Sequence, residues 1–446
     1  PRPVSWTPDQ VRSFAPDAGT AKRGQGLASE RNWYSLFGNA RVIWGDCRGS
    51  GSRPYQTQVD LIGPAFKCSC PSRKFPCKHA IALLLIFVTR SDAFSIQEEM
   101  PPWVSEWIAS RSYQAKAPAP APNDAEREQK NAEQRQKNRD KRLVQMAQGV
   151  KDLETWLFDL IRQGLASTEQ LEYTYWQEIA SRMVDRKMGG VGLKIRSLAL
   201  LQGGKTDWPE QMLSELAELY LLTRGMQQLD QLPEALSEQV LRVAGRNVQQ
   251  KDLLQQVGRS DQWIVMGQLT GHNIDNGTFR RTWLWGVKTQ RWALLLEYDY
   301  RDQGFAQQWP VGQSFAAEVV YFPGTHPLRV VIKQFERTTD RVALAPGAPQ
   351  IDAFLTDYAA AVAANPWLLD YPAQLAQVIP VYEGGQLYVV DTRRKALPLV
   401  ASDRDRWKIL ATSGGHPLTI FGEWTGRRLV PLSLAVAGRL IPLQEK

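Results

Sequence analysis

The sequence predicts an α+β multidomain protein: a small α/β module at the N-terminus, an α-helical middle domain and a mostly β C-terminal region. Three observations carry this expectation. Three of the four cysteines fall within ten positions of one another. A helical apolar period runs from Leu143 to about Leu254. After Asp261 the pattern becomes short runs of branched and aromatic residues between Gly, Asn, Asp and Pro. A chain of 446 residues is long for one domain. Its boundaries read as a module over 1–114, a linker over 115–142, a helical domain over 143–256 and a β-rich domain over 257–446.

In the N-terminal module, Cys68-Ser-Cys70 and Cys77-Lys-His79 form two ligand pairs six residues apart. Tetrahedral zinc takes four donors at about 2.0 to 2.3 Å, and a filled Cys3His set leaves no vertex for a substrate water. One structural zinc ion, held by Cys68, Cys70, Cys77 and His79, is the expectation; a disulfide framework does not suit so few cysteines. Gln56 to Leu61 reads as the strand delivering the first pair, Pro71 and Pro76 as turn formers, and Ala80 to Thr89 as a helix with Ile81, Leu84, Leu85 and Val88 on one face. Cys47 reads as a small buried hydrophobe.

The CSC, six residues, CKH pattern resembles the SWIM zinc finger. The run from Trp44 to Leu85 is similar to the N-terminal module of bacterial SWIM zinc finger family proteins. That resemblance implies a DNA-binding or protein-interaction module, with partners among MoxR-type AAA+ ATPases and von Willebrand A domain proteins.

The net charge of +8 is concentrated. Residues 1–90 hold 13 Lys+Arg against 5 Asp+Glu, and residues 91–446 hold 41 of each, so the remainder suggests no polyanion partner. Arg48, Arg53, Lys67, Arg73, Lys74 and Lys78 lie on or beside the finger, interleaved with Trp44, Tyr55 and Phe75. These cations suit either nucleic-acid phosphates, with an aromatic stacked on a base, or an acidic protein face. A third reading is that they offset the zinc-thiolate charge while the aromatics fill the core. No helix carries accessible Arg, Asn or Gln in a pattern that reads bases.

Residues 115–142 hold an Ala-Pro stretch and then charged and amide residues without a large apolar side chain. The charged half suits either a solvated continuation of the next helix or an unstructured segment. Helices follow around Leu153, Leu171 to Met183, Leu193 to Leu201, Trp208 to Leu222 and Ala235 to Val243, with Gly164, Gly189-Gly190, Pro233 and Gly245 as breaks. Five β runs come next, including a hairpin over Thr282 to Tyr298, then a helix at Ile351 to Ala363 and five more strands, suggesting two similar small sheets.

Candidate chemistry elsewhere is thin. Gly204-Lys205-Thr206 lacks the first glycine of a phosphate loop, since position 199 is Ala199, and Gly189-Gly190-Val191-Gly192 reads as a helix break. His272, His326 and His416 read as turn residues, Asp403 and Asp405 as solvated loop charge, and most of the sixteen tryptophans as packing. No membrane span or secretory signal is legible, so a cytoplasmic protein is expected. The function read from these residues is a non-catalytic zinc-binding adaptor: the basic module docks on nucleic acid or an acidic protein, and the α and β domains hold a protein partner. The alternative is an enzyme with its site in the β-rich domain.

Overall fold

The computed structural model describes residues 6–49, 53–61, 65–72, 74–111, 124–201, 208–273, 277–299, 304–305, 307–337 and 343–443. Arg73, Gly204-Lys205-Thr206 and the Ala-Pro stretch of the linker lie outside these residues. Among the described residues no helix is long and apolar enough to cross a membrane.

The N-terminal module is layered. Helices α1 (Pro8–Ser13) and α2 (Ala18–Leu27) precede strands β1 (Trp33–Gly38), β2 (Val42–Cys47), β3 (Tyr55–Asp60) and β4 (Ala65–Cys68). Helix α3 (Lys78–Thr89), the short β5 (Ser95–Ile96) and α4 (Pro102–Arg111) follow. The sheet order is β4-β3-β2-β1-β5. Successive residues of β2 face opposite sides: Ile43 and Cys47 join the core around α3, while Val42 and Trp44 pack against Val104 and Ile108 of α4. The apolar stripe expected on α3 is wider in the structure, because His79 through Phe87 are all buried. A helix that is apolar all round sits inside, here between the sheet and α1 and α2.

The middle region holds α5 (Asp124–Gln163), α6 (Tyr173–Asp185), α7 (Gly189–Leu198), α8 (Trp208–Gln227), α9 (Glu234–Ala244) and the single turn α10 (Gln250–Leu253). Helix α5 starts well before residue 143, so the charged half of the 115–142 stretch is helical. Side-chain pairs one turn apart, Gln134 with Asn138 at 3.0 Å and Gln136 with Asp140 at 2.9 Å, support that solvated part. Gly189 to Gly192 are the first turn of α7 and not a break. A Cβ on Gly190 would lie 2.1 Å from the Val243 carbonyl oxygen, and one on Gly192 would lie 2.8 Å from that of Ala180. These glycines let α7 approach α9 and α6 closely. Gly190→Ala is therefore expected to destabilise the bundle by roughly 1 to 3 kcal/mol in chemical denaturation. Gly189→Ala, which meets nothing within 4 Å, leaves it unchanged or slightly more stable.

The C-terminal region contains two barrel-like sheets. Strands β6 (Arg259–His272), β7 (Thr278–Gly286), β8 (Arg291–Asp299), β9 (Ser314–Tyr321) and β10 (Arg329–Arg337) form a closed barrel. After α11 (Ile351–Ala364) come β11 (Tyr371–Glu383), β12 (Gln386–Val390), β13 (Ala396–Leu399), α12 (Asp403–Ser413), β14 (Leu418–Trp424), β15 (Leu429–Val436) and β16 (Arg439–Pro442). Both sets share one connectivity. The first three strands form a meander, the fourth pairs with the first, and the fifth pairs antiparallel with the fourth and parallel with the third.

The apolar run of β6 is explained by burial on both faces. Trp263 and Val265 point into the first barrel, whereas Ile264 and Met266 pack outward on Phe421 and Leu432 of the second. Within this interface Arg281 donates to Asp370 and to Glu423, both at 2.6 Å, and the Trp283 indole N–H donates to Glu423 at 2.7 Å. Asp403 and Asp405, expected in a loop, open α12 instead. The Ser402 hydroxyl accepts from the Asp405 amide at 3.1 Å, and a helix N-terminus favours acidic residues.

Candidate metal centre

Three local devices bring the cysteines and the histidine together. Cys68 is the last residue of β4 and pairs with Thr57 of β3, so β4 delivers the first ligand; the strand expected to do so from sequence is its neighbour. Cys70 follows in the loop, Cys77 caps α3, and His79 sits in the first turn of that helix. The four ligand atoms lie within 4.8 Å of one another. His79 Nδ1 is 3.8 Å from Cys68 Sγ and 3.9 Å from Cys77 Sγ. A tetrahedral zinc with Zn–S of about 2.3 Å and Zn–N of about 2.0 Å has edges of about 3.5 to 3.8 Å. The donor set fits zinc, with Nδ1 as the histidine donor and no vertex left for water.

The surroundings hold these ligands in place. The Thr57 hydroxyl lies 3.2 Å from Cys68 Sγ and donates to it once that sulfur is a thiolate. The Tyr55 ring lies 4.9 Å from that of His79 and fixes its orientation. Hydrogen bonding from Cys68, and next from Cys77, drives the Cys70 thiol below its ordinary pKa, and the same contact with Cys70 raises Cys68. Three sulfurs sharing protons in this way are poised to exchange them for a divalent cation.

Residues 55–86 match the family model described as the SWIM zinc finger. The chain carries a SWIM zinc finger. Residues 141–244 match the SWIM-associated four-helix bundle domain, covering the second half of α5 through α9. No curated protein and no solved structure matches the chain. The SWIM finger thus runs from β3 into α3, with its adjoining bundle directly downstream of the module.

Of the six cations singled out by sequence, five are described, and all five are exposed. Arg48 and Arg53 flank the β2–β3 connection, and the Cys47–Tyr55 and Thr57–Cys68 pairings place that connection at the ligand end of the sheet. Lys67 precedes Cys68, and Lys78 follows Cys77. Lys74 donates to Asp17 at 2.7 Å, a bond that holds the Asp17 carboxyl down at about 2. The interleaved aromatics do not form a stacking surface. Trp44 is 2% exposed under α4, Tyr55 lies on His79, and Phe75 packs edge-on against Phe66 with its ring beside Gly304.

Cys47 is fully buried and its thiol is pushed up to about 11 by burial. The remaining histidines are scattered. His272 ends β6 beside the Thr278 hydroxyl at 3.3 Å, His326 lies 5.9 Å from the Tyr371 ring, and His416 is exposed after α12. Sequence reasoning missed Thr57 as a support for Cys68, because only the β3–β4 register reveals it.

Proposed function

We propose that the protein is a non-catalytic zinc-binding adaptor whose SWIM finger docks on the phosphate backbone of nucleic acid. The observation that carries this is the exposure of Arg48, Arg53, Lys67 and Lys78 around the ligand end while Trp44, Tyr55 and Phe75 turn inward. The exposed ring beside them, Tyr34, already carries the Arg48 guanidinium 4.8 Å from its centre, so contact is led by phosphates, electrostatic and independent of sequence. The same inward turn of the rings favours an acidic protein face as the second reading. A zinc with four protein ligands supplies no open coordination site for chemistry.

The helical domain suits a protein partner. Phe158 and Ile161 of α5 are 40% and 54% exposed, and Leu213 and Tyr220 of α8 are 55% and 40% exposed. Phe158 and Tyr220 lie 6.0 Å apart, so these apolar groups form one strip across two helices. An AAA+ ATPase or von Willebrand A domain protein is the partner class that the SWIM resemblance implies.

The docking proposal is tested with zinc-loaded protein and labelled duplex DNA over a salt series. Replacing Arg53 and Lys78 together by Gln is expected to reduce the log–log salt slope by about 2, roughly one per lost phosphate contact. A slope and affinity untouched by these changes remove the nucleic-acid reading. Capture of an acidic protein with the same dependence on Arg53 and Lys78 transfers the surface to the second reading.

A further inference from the structure

The connectivity shared by the two C-terminal barrels is that of the OB fold: a three-strand meander, a fourth strand on the first, and a fifth closing in parallel on the third. The second copy also places a helix, α12, between its third and fourth strands. OB folds bind oligonucleotides on the face of their second and third strands, between the loops that join strands one to two and four to five. Fold alone assigns no function, so the residues on that face decide.

In the first barrel the corresponding face is occupied. Trp283 and Trp285 of β7 and Trp292 of β8 are packed against Phe421 and Leu432 of the second barrel. In the second barrel the same face, formed by β12 and β13, is partly open. The pairings of Tyr388 with Val381 on one side and with Pro398 on the other place a ring at its centre. Val400, at the end of β13, is 43% exposed. Leu387 and Val389 alternate with Tyr388 and point into the core.

Cations stand in two turns that border this face. The β12–β13 turn presents Arg393 and Arg394, both exposed. The β14–β15 turn presents Arg427 and Arg428, and Leu429 beside it pairs with Leu399 of β13. The carboxylates at the first turn are engaged: Asp391 is buried and accepts from the Ile351, Arg393 and Lys395 amides, and Asp352 pairs with Lys395 at 2.8 Å, which leaves Arg393 and Arg394 exposed. The balanced charge of residues 91–446 conceals this local excess.

We infer that the β12–β13 face of the second barrel binds single-stranded nucleic acid, with Tyr388 stacking on a base and the arginines of the two flanking turns contacting phosphates. A ring between cations is the arrangement that single strands require, since every base has a face to stack. This inference goes beyond the docking of the SWIM finger and stands without it.

The test is fluorescence anisotropy of a labelled oligothymidylate with the full zinc-loaded chain, beside a duplex of equal length and a polyglutamate competitor. Tyr388→Ala is expected to weaken single-strand binding about tenfold, the loss of one stacked base, while Tyr388→Phe keeps it. Arg393→Gln and Arg427→Gln are each expected to lower the salt slope by about 0.7. The Arg53→Gln, Lys78→Gln double variant reports on the finger in the same assay. If it loses duplex binding and keeps the Tyr388-dependent single-strand binding, the two surfaces are separate. If single-strand affinity ignores Tyr388→Ala and both arginine changes, the inference is overturned whatever the finger does. If Tyr388→Ala lowers the thermal transition, the Tyr388→Phe and arginine results decide alone. Polyglutamate displacing the oligonucleotide as effectively as unlabelled oligothymidylate also overturns the assignment to nucleic acid.

Discussion

Replacing Cys77 by Ser is expected to abolish zinc binding and to unfold the N-terminal module locally, leaving the helical bundle and the barrels folded. Structural zinc sites contribute on the order of 10 to 16 kcal/mol of apparent binding energy at neutral pH. Whole domains are stable by about 5 to 15 kcal/mol, so the loss is comparable with all the module has. Cys77 is 5% exposed and caps α3, the helix on which α1, α2 and the sheet all pack. The described residues between β4 and α3 form neither helix nor strand, and the ligands at the two ends of the segment hold it closed. Hydrogen exchange read by mass spectrometry checks this, with protection expected to fall in β3, β4 and α3 but not in α6 to α9. One zinc per chain and unchanged protection in Cys77→Ser would show that the module is built by its apolar core instead.

The second large effect is expected where the two barrels meet. Glu423 is fully buried, and it accepts hydrogen bonds from Arg281 and Trp283. Glu423→Ala leaves a half-buried guanidinium, which keeps only Asp370, and a buried indole N–H without this partner, and breaking such a cluster costs about 3 kcal/mol. Burial pushes the Glu423 carboxyl up to about 7; Arg281 opposes that shift and Asp370 adds to it. Burial also raises Asp370, against the pull of Arg281.

A carboxyl whose folded pKa lies above its unfolded value binds its proton more tightly when folded. Its stabilisation is fully present below about 4.5 and is lost as pH rises through about 7. The thermal transition of the barrels is therefore expected to fall between about pH 5 and pH 8, and Glu423→Gln to flatten that slope. His326, pushed down by burial, acts with the opposite sign, so the difference between wild type and Glu423→Gln isolates the carboxyl. Tryptophan fluorescence is the natural probe, since Trp283 touches the cluster. A transition with the same pH slope in both proteins would show that Glu423 stays ionised in the folded state.

These two sites differ in how far the sequence announces them. The metal ligands are legible because their spacing is local: two pairs twelve residues from end to end, each with one residue between its members. The full burial of α3 is not legible, because a segment that is apolar all round has no periodicity that separates a one-sided stripe from a helix enclosed on every side. The C-terminal strands are legible as runs, yet their closure into two barrels of one connectivity is not, because the closing pairs join strands far apart in the chain. Arg281, Asp370 and Glu423 are likewise brought together only by that packing. Trp44 read as a stacking candidate because its neighbours in sequence are cations; its alternation with Ile43 along β2 buries it under α4. Charge averaged over long stretches conceals the cationic turns of the second barrel, and Asp403 and Asp405 read as loop charge because the Ser402 cap that starts α12 is not marked by an apolar period.

A zinc site with all four vertices filled by Cys68, Cys70, Cys77 and His79 leaves no open position for a substrate water. Zinc K-edge X-ray absorption on the full chain tests it most directly. Three sulfurs at about 2.3 Å and one nitrogen at about 2.0 Å are expected, with one zinc per chain. An oxygen among the nearest neighbours, or fewer than three sulfurs, would contradict the closed site and reopen metal-assisted chemistry at this centre.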